Sequence, residues 1–296
     1  MFRARLAGVL LVAALTLSAC GAGGSTTASS QATSTSGDAA TGVAKMLIRS
    51  WPALDPATDS ATGASVREED VDWFVYTGLT TYSRTGGRTK LIPGLAQSMP
   101  MVLGDENTYV ATLRKGLVFS NGQPVTAEDF LYTVERDLRI HQSAAVAEFA
   151  GLVVGARKYE DGASKTLSGI SVDDTTGTIV IRLTVPDTGF DRLLALPALG
   201  LVPASTPDRP STVIPPSGAG PYELTNIVPK RSFSVVQNPE WASLAIPGLP
   251  SGQVNINVEI DPRLRGGALA VFHGGSVRAP AFRPHYGFDL TSLALG

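Results

Sequence analysis

An α/β fold rich in antiparallel strands is what this 296-residue sequence predicts, on three observations. Short segments alternate apolar and polar side chains, as in TYVATL at residues 108–113 and NINVE within 254–260, the mark of half-buried strands. Between them lie stretches with apolar residues at helical spacing, which predict helices packed on a sheet. Turn signals such as DDTTG at residues 173–177 and Asn121-Gly122 join neighbouring strands or lead a strand into a helix. No internal repeat is visible, so a barrel of eight repeated units is excluded. With 43% hydrophobic and 17% charged residues the chain supports a real core of one or two domains, and its formal charge of −2 argues against a polyanionic partner such as nucleic acid.

Residues 1–19 read as a cleaved export signal. Arg3 and Arg5 precede an apolar run over residues 6–17, too short to span a hydrocarbon core of about 30 Å as a helix. The run closes on LSAC, residues 17–20, which resembles the lipobox of bacterial lipoproteins. That resemblance implies cleavage before Cys20 and diacylglycerol on its sulfur, with each buried methylene contributing about 0.8 kcal/mol to membrane attachment. Cys20 is the single cysteine, so it has no partner for an internal disulfide. Cleavage removes two of the 24 basic residues and none of the 26 acidic ones, leaving a formal charge of −4. Residues 20–42 hold no large apolar side chain and no periodicity, and predict a flexible tether.

The body begins with a strand over residues 43–50 and a turn at LDP, residues 54–56. Val66, Asp70, Trp73 and Thr77 then fall at helical spacing, and Glu68, Glu69, Asp70 and Asp72 read as a solvated helix start whose negative charge suits the exposed amides. Thr126 caps the next helix, with Asp129 completing a capping box and Val125 stapled to Phe130. Phe130, Leu131, Val134 and Leu138 form its buried stripe, while Glu135 and Arg139 pair at i,i+4 on another face. Strands follow at 170–172 and 178–185, a short packed helix at Phe190, Leu193, Leu194 and Leu196, a Pro-rich crossing at 200–210, and a hairpin of residues 222–227 and 231–237. Asp173 and Asp174 read as solvated turn residues.

Catalytic patterns are missing. His141, His273 and His285 are scattered, and no HExxH, GxSxG or Cys-x-x-Cys occurs, so metal hydrolysis, serine hydrolysis and thiol redox chemistry lack their minimum parts. Gly21, Gly23 and Gly24 have neither a preceding strand nor a following helix pattern, so they make no nucleotide loop. No enzyme activity, cofactor or metal is expected.

The stretch YVATLRKGLVFSNGQPVTAEDFLYTVERDL, residues 109–138, resembles the signature region of the family 5 extracellular solute-binding proteins, the oligopeptide, dipeptide and nickel receptors of ABC importers. LDP at 54–56, GLTTY at 78–82 and PGLAQS at 93–98 look like that family's early landmarks in order, and GAGPYELTNIVPKRSFSVVQNPEW at 218–241 is similar to its later block. The resemblance implies a periplasmic-binding-protein-like type II clamp. Residues 43–75 and 203–261 would form the first lobe, and residues 76–202 a smaller inserted lobe. The family's third lobe should follow, but residues 262–296 carry four arginines, no lysine, one acid and repeated Gly or Pro with little periodicity. The expectation is an incomplete clamp with an atypical tail, left by a frameshift or premature end, with a naturally shortened member of the family as the alternative.

By the same resemblance, ligand would pair as an added strand with Ser50, Trp51 and Pro52, just ahead of the LDP turn. Pro52 has no amide hydrogen, which argues against a fully peptide-like pattern. Trp51 reads either as an aromatic wall to the solute or as a core residue under the turn, while Tyr222 and Trp241 read as structural. The implied role is a monomeric lipoprotein on the extracytoplasmic face of the cell membrane, capturing a small solute such as a short peptide for ABC permease subunits. The alternative is a surface lipoprotein without transport, a scaffold or sensor, or a non-functional truncated product.

Overall fold

The computed structural model describes residues 44–58, 69–85, 88–241, 246, 255–264, 269–272 and 275–278. The export signal, Cys20, the tether, the start of the first helix through Glu68, His273, His285 and the chain after Arg278 lie outside the described residues. The described residues fall within one unit, Ala40–Gly296.

Three sheets organise them. Strands β1 (Ala44–Ile48), β8 (Tyr222–Val228), β9 (Ser232–Gln237), β10 (Asn255–Ile260), β11 (Leu269–Phe272) and β12 (Gly275–Arg278) form a six-stranded sheet in the order β12-β11-β1-β10-β9-β8. Within it β1 and β10 run parallel, Ala44 opposite Ile256, and the other neighbours are antiparallel. Strands β4 (Met101–Val102), β5 (Thr108–Thr112), β6 (Ile170–Asp173) and β7 (Thr178–Arg182) make an antiparallel sheet in the order β4-β5-β7-β6. A hairpin of β2 (Thr80–Thr85) and β3 (Arg88–Pro93) completes the set.

The alternation read from sequence is the reason these strands have two faces. In β10 Ile256 and Val258 are buried between exposed neighbours, and in β7 Ile179 and Ile181 are buried with half-buried Thr178 and Val180 beside them. The tail departs from expectation. Residues 262–296 offered little periodicity, yet Leu269–Phe272 pairs with β1 and Gly275–Arg278 pairs with it in turn. Main-chain hydrogen bonding to a preformed edge makes a strand without demanding alternation in the strand itself.

Helix α2 (Ala127–Ile140) packs on β6 and β7, with α3 (Ala144–Leu152) and α4 (Ala156–Glu160) against it, while the single turn α5 (Phe190–Leu193) packs on β2. The start of α2 follows the sequence closely: Thr126 accepts the Asp129 amide at 3.3 Å, and the Asp129 carboxylate accepts the Thr126 amide at 2.8 Å. Asp174, exposed in its turn, also accepts the Glu128 amide at 2.9 Å, so it serves the helix N-terminus. Phe130, Val134 and Leu138 sit in one large core with Tyr109, Phe149, Ile179 and Phe190. A second core lies on the six-stranded sheet, where Ile48, Phe74, Tyr222, Phe233, Ile256 and Val258 meet.

Helix α1 (Glu69–Val75) packs on β8. Asp72 within it is buried at 1% exposure rather than solvated, because the helix turns that side inward. Its last carbonyl explains the glycines ahead of β8. The Gly220 amide donates to the Val75 oxygen at 2.9 Å, and a Cβ on Gly218 or Gly220 would lie 2.0 or 2.5 Å from that oxygen. Tyr222 and Trp241 are buried at 1% and 2%, in keeping with structural roles.

Candidate functional site

The segment expected to meet ligand emerges from the C-terminal end of β1. Ser50 is exposed, Trp51 is half-buried and Pro52 is buried. The Trp51 ring stands edge-on to Phe233 of β9, with centroids 5.7 Å apart and planes at 89°. That contact fixes one edge of the indole on the second core while part of the ring stays open to solvent. Residues 49–54 belong to no strand or helix, so their path is set by what holds their two ends.

The upstream end is held where the Ile48 oxygen accepts the Asp261 amide at 2.8 Å. Downstream, the Leu54 oxygen accepts the Tyr76 hydroxyl at 2.9 Å, and Asp55 enters a fully buried ionic hub. Arg136 of α2 meets the Asp55 carboxylate with both guanidinium ends, at 2.6 and 3.0 Å, and neither side chain is exposed. Asp55 also accepts the Ala57 amide at 3.1 Å and the Ser211 amide at 2.8 Å. Asp137 adds a second carboxylate 3.5 Å from Arg136, and its other oxygen has no hydrogen-bond partner among the described residues.

The electrostatics follow from burial. Desolvation pushes the Asp137 carboxyl well above the usual carboxylate range, against the opposing pull of Arg136. Desolvation also opposes the charge on Arg136, but the hydrogen bonds and attraction of Asp55 outweigh it and hold the guanidinium charged. Tyr76 is raised well above an ordinary phenol, first by burial and then by the Asp72 and Asp55 carboxylates.

A strap of residues 203–217 crosses this hub on its way back to the six-stranded sheet. Arg136 donates to the Pro207 oxygen at 2.9 Å and the Arg209 oxygen at 3.2 Å. On the same helix, Asp129 accepts the Ala204 amide at 2.7 Å, Tyr132 donates to the Thr206 oxygen, and Arg139 meets Asp208 at 2.8 Å. Tyr76 closes the far side by sharing its one hydroxyl proton between the Leu54 oxygen and the Pro216 oxygen, the latter at 3.0 Å. The strap arches over a cavity of about 560 Å³ whose wall includes Asn121, Arg136, Arg209, Val213 and Ile214. Ser50, Trp51 and Pro52 do not line it.

The sequence reading found the apolar stripe of α2 and its Glu135–Arg139 pair, which the structure shows at 3.6 Å. It missed the second stripe. Asp129, Thr133 and Arg136 are buried polar residues at i, i+4 and i+7, next to the apolar face, and a helix that keeps charge beside its buried stripe signals a polar partner. His141 caps α2 from the left-handed region, exposed and 2.6 Å from Glu160, and belongs to no catalytic cluster among the described residues. Among the described residues no group of three or more His, Cys, Asp or Glu side chains is placed to hold a metal ion.

The chain is similar in sequence and overall fold to known proteins. The oligopeptide-binding protein OppA of Lactococcus lactis subsp. lactis is 29% identical over 150 residues, an alignment covering 46% of this chain and 25% of that protein. The solved structure of Listeria monocytogenes OppA bound to peptide superposes with a TM-score of 0.59 at 21% identity, over 74% of this chain and 42% of that one. The murein tripeptide-binding protein MppA in its unliganded open form gives a TM-score of 0.58 at 26% identity, over 74% and 41%. This chain thus spans about a quarter of the length of the curated relatives it matches and about two fifths of the solved ones. The pattern described as "Bacterial extracellular solute-binding proteins, family 5 Middle" matches residues 90–260, which takes in α2, its capping box, the strap and the glycines ahead of β8. With more than half of the sequence inside that match and an α/β periplasmic-binding-protein-like fold around it, the chain belongs to the family 5 bacterial extracellular solute-binding proteins.

Proposed function

We propose that this protein is the solute-capturing component of an ABC import system and that its solute is a short peptide. The observation carrying this reading is the match over residues 90–260, joined to likeness in sequence and fold to proteins named for binding oligopeptides and a murein tripeptide. In this reading Cys20 carries lipid and residues 20–42 tether a monomer to the extracytoplasmic face of the membrane. Residues 43–75 with 203–261, and residues 76–202, act as two lobes of a type II clamp. Ser50, Trp51 and Pro52 line its mouth, giving backbone pairing on either side of the missing Pro52 amide and an aromatic wall from Trp51.

The chain itself performs no chemistry. Ligand binding shifts an open–closed population, the loaded form is presented to permease subunits, and ATP hydrolysis elsewhere drives import. Titration calorimetry of the purified full chain in detergent, with mixed short peptides and with nickel chelates, tests this directly. Saturable heat with peptides is the expected result. The second reading is a surface lipoprotein that does not transport. A cooperatively folded chain that yields no heat with any peptide would establish that second reading.

A further inference from the structure

We propose that Arg136 is a positioning residue for solute capture, acting through Asp55 to hold Ser50, Trp51 and Pro52 in place. The inference rests on the peptide-binding reading of those three residues. Its physical basis is the path of residues 49–54, which lack regular structure and hang between two fixed ends. The upstream end is β1 itself. The downstream end is Asp55, three residues after Pro52, a span of at most about 10 Å of chain.

The hub is suited to fixing direction as well as place. A bidentate guanidinium–carboxylate pair is planar, so it sets the orientation of the Asp55 side chain and not only its distance. The remaining acceptor capacity of Asp55 goes to the amides of Ala57 and Ser211, and the Thr58 amide donates to the Asp55 oxygen at 2.9 Å. Beside these bonds Arg136 adds its own two to the Asp55 carboxylate, from α2, a helix whose start is fixed by a capping box and whose apolar face is packed in the large core. The turn after the candidate ligand segment is therefore referenced to a capped, core-packed helix. Trp51 reports the result, since its ring must meet Phe233 from a backbone held a few residues away.

Two substitutions separate positioning from stability. Arg136→Lys keeps the charge but loses the fork. Asp55→Asn keeps the shape of the side chain but weakens the pair, with Asp137 still 3.5 Å from Arg136. The chain has three tryptophans, Trp51, Trp73 and Trp241, so labelling the full chain with 5-fluorotryptophan gives three ¹⁹F resonances, assigned with Trp51→Phe. In both variants, well below their melting points, the Trp51 resonance should shift or broaden while those of Trp73 and Trp241 stay in place. Affinity for alanine-based tri- and pentapeptides should fall about tenfold. A Trp51 resonance unmoved in both folded variants overturns the proposal. Should the wild-type chain bind no peptide, the transport reading fails and the Trp51 resonance alone decides whether Arg136 positions the segment.

Discussion

The four-stranded sheet with its helices and the six-stranded sheet draw their partners from very different distances along the chain. In the first, β5, β6, β7 and α2 all come from residues 108–182, and one apolar core fills the space between them. In the second, β1 pairs in parallel with β10, which puts Met46 beside Val258. Such pairing must close most of the chain before it contributes, so the second sheet rests on non-local contacts and a smaller core. The junction is different again. It is polar and directional, built from Asp55, Arg136 and the strap, where apolar contact alone would allow the parts to slide. Cores keep each sheet folded; the ionic hub sets how the LDP turn, α2 and the strap meet.

The largest effect should come from Asp55→Ala. It leaves Arg136 buried without its bidentate partner and deprives the Ala57 and Ser211 amides of an acceptor, so a loss of about 3–5 kcal/mol is expected in urea unfolding. A loss below about 1 kcal/mol would show that the junction does not depend on this pair.

The two cores can then be set against each other. Phe130→Ala opens a cavity in the larger core and should cost about 3–5 kcal/mol, whereas Val258→Ala in the smaller one should cost about 2 kcal/mol. Equal losses at both sites would erase the distinction between them. Hydrogen exchange should also find the amides of β5 and β7 slower than those of β1.

Smaller still is the cap of α2. Thr126→Ala should cost about 1 kcal/mol, read as earlier fraying of the first turn of that helix. Thr126→Ser should restore most of it.

The last test concerns pH. The Asp137 carboxyl is raised in the fold, so its contribution is fully present below the unfolded carboxylate pKa and is lost as pH rises through the raised folded value. Asp137→Asn removes that loss. It should stabilise the protein near neutral pH by on the order of 1 kcal/mol, through relief of a buried, half-satisfied carboxylate, and the gain should vanish as pH falls below the usual carboxylate range. A gain that persists unchanged in acid would place its origin elsewhere than in the charge of Asp137.

Much of the fold was legible because its signals are local. The capping box at Thr126 and Asp129, the alternation of β5 and β10 and the turn at Asn121-Gly122 each need only a few neighbouring residues to be read. The family landmarks were legible for a related reason, since several of them hold a turn or a helix start whose geometry dictates its residues. Asp72 was misread because an acid in the first turns of a helix satisfies the same dipole argument whether it faces water or protein. The tail strands escaped notice because an edge already formed by β1 recruits them through main-chain bonds.

By itself, then, the sequence determined the fold class, the order of the elements, the entry angle of α2 and membership in the solute-binding family. Only the tertiary structure decided that Asp55 and Arg136, distant in the chain, form one buried pair, that the strap runs along the polar stripe of α2, and that Trp51 rests on Phe233. The physical reason is range. Propensity, capping and alternation act over one or two turns of backbone, while a buried charge reveals its partner only when folding has removed the water between them.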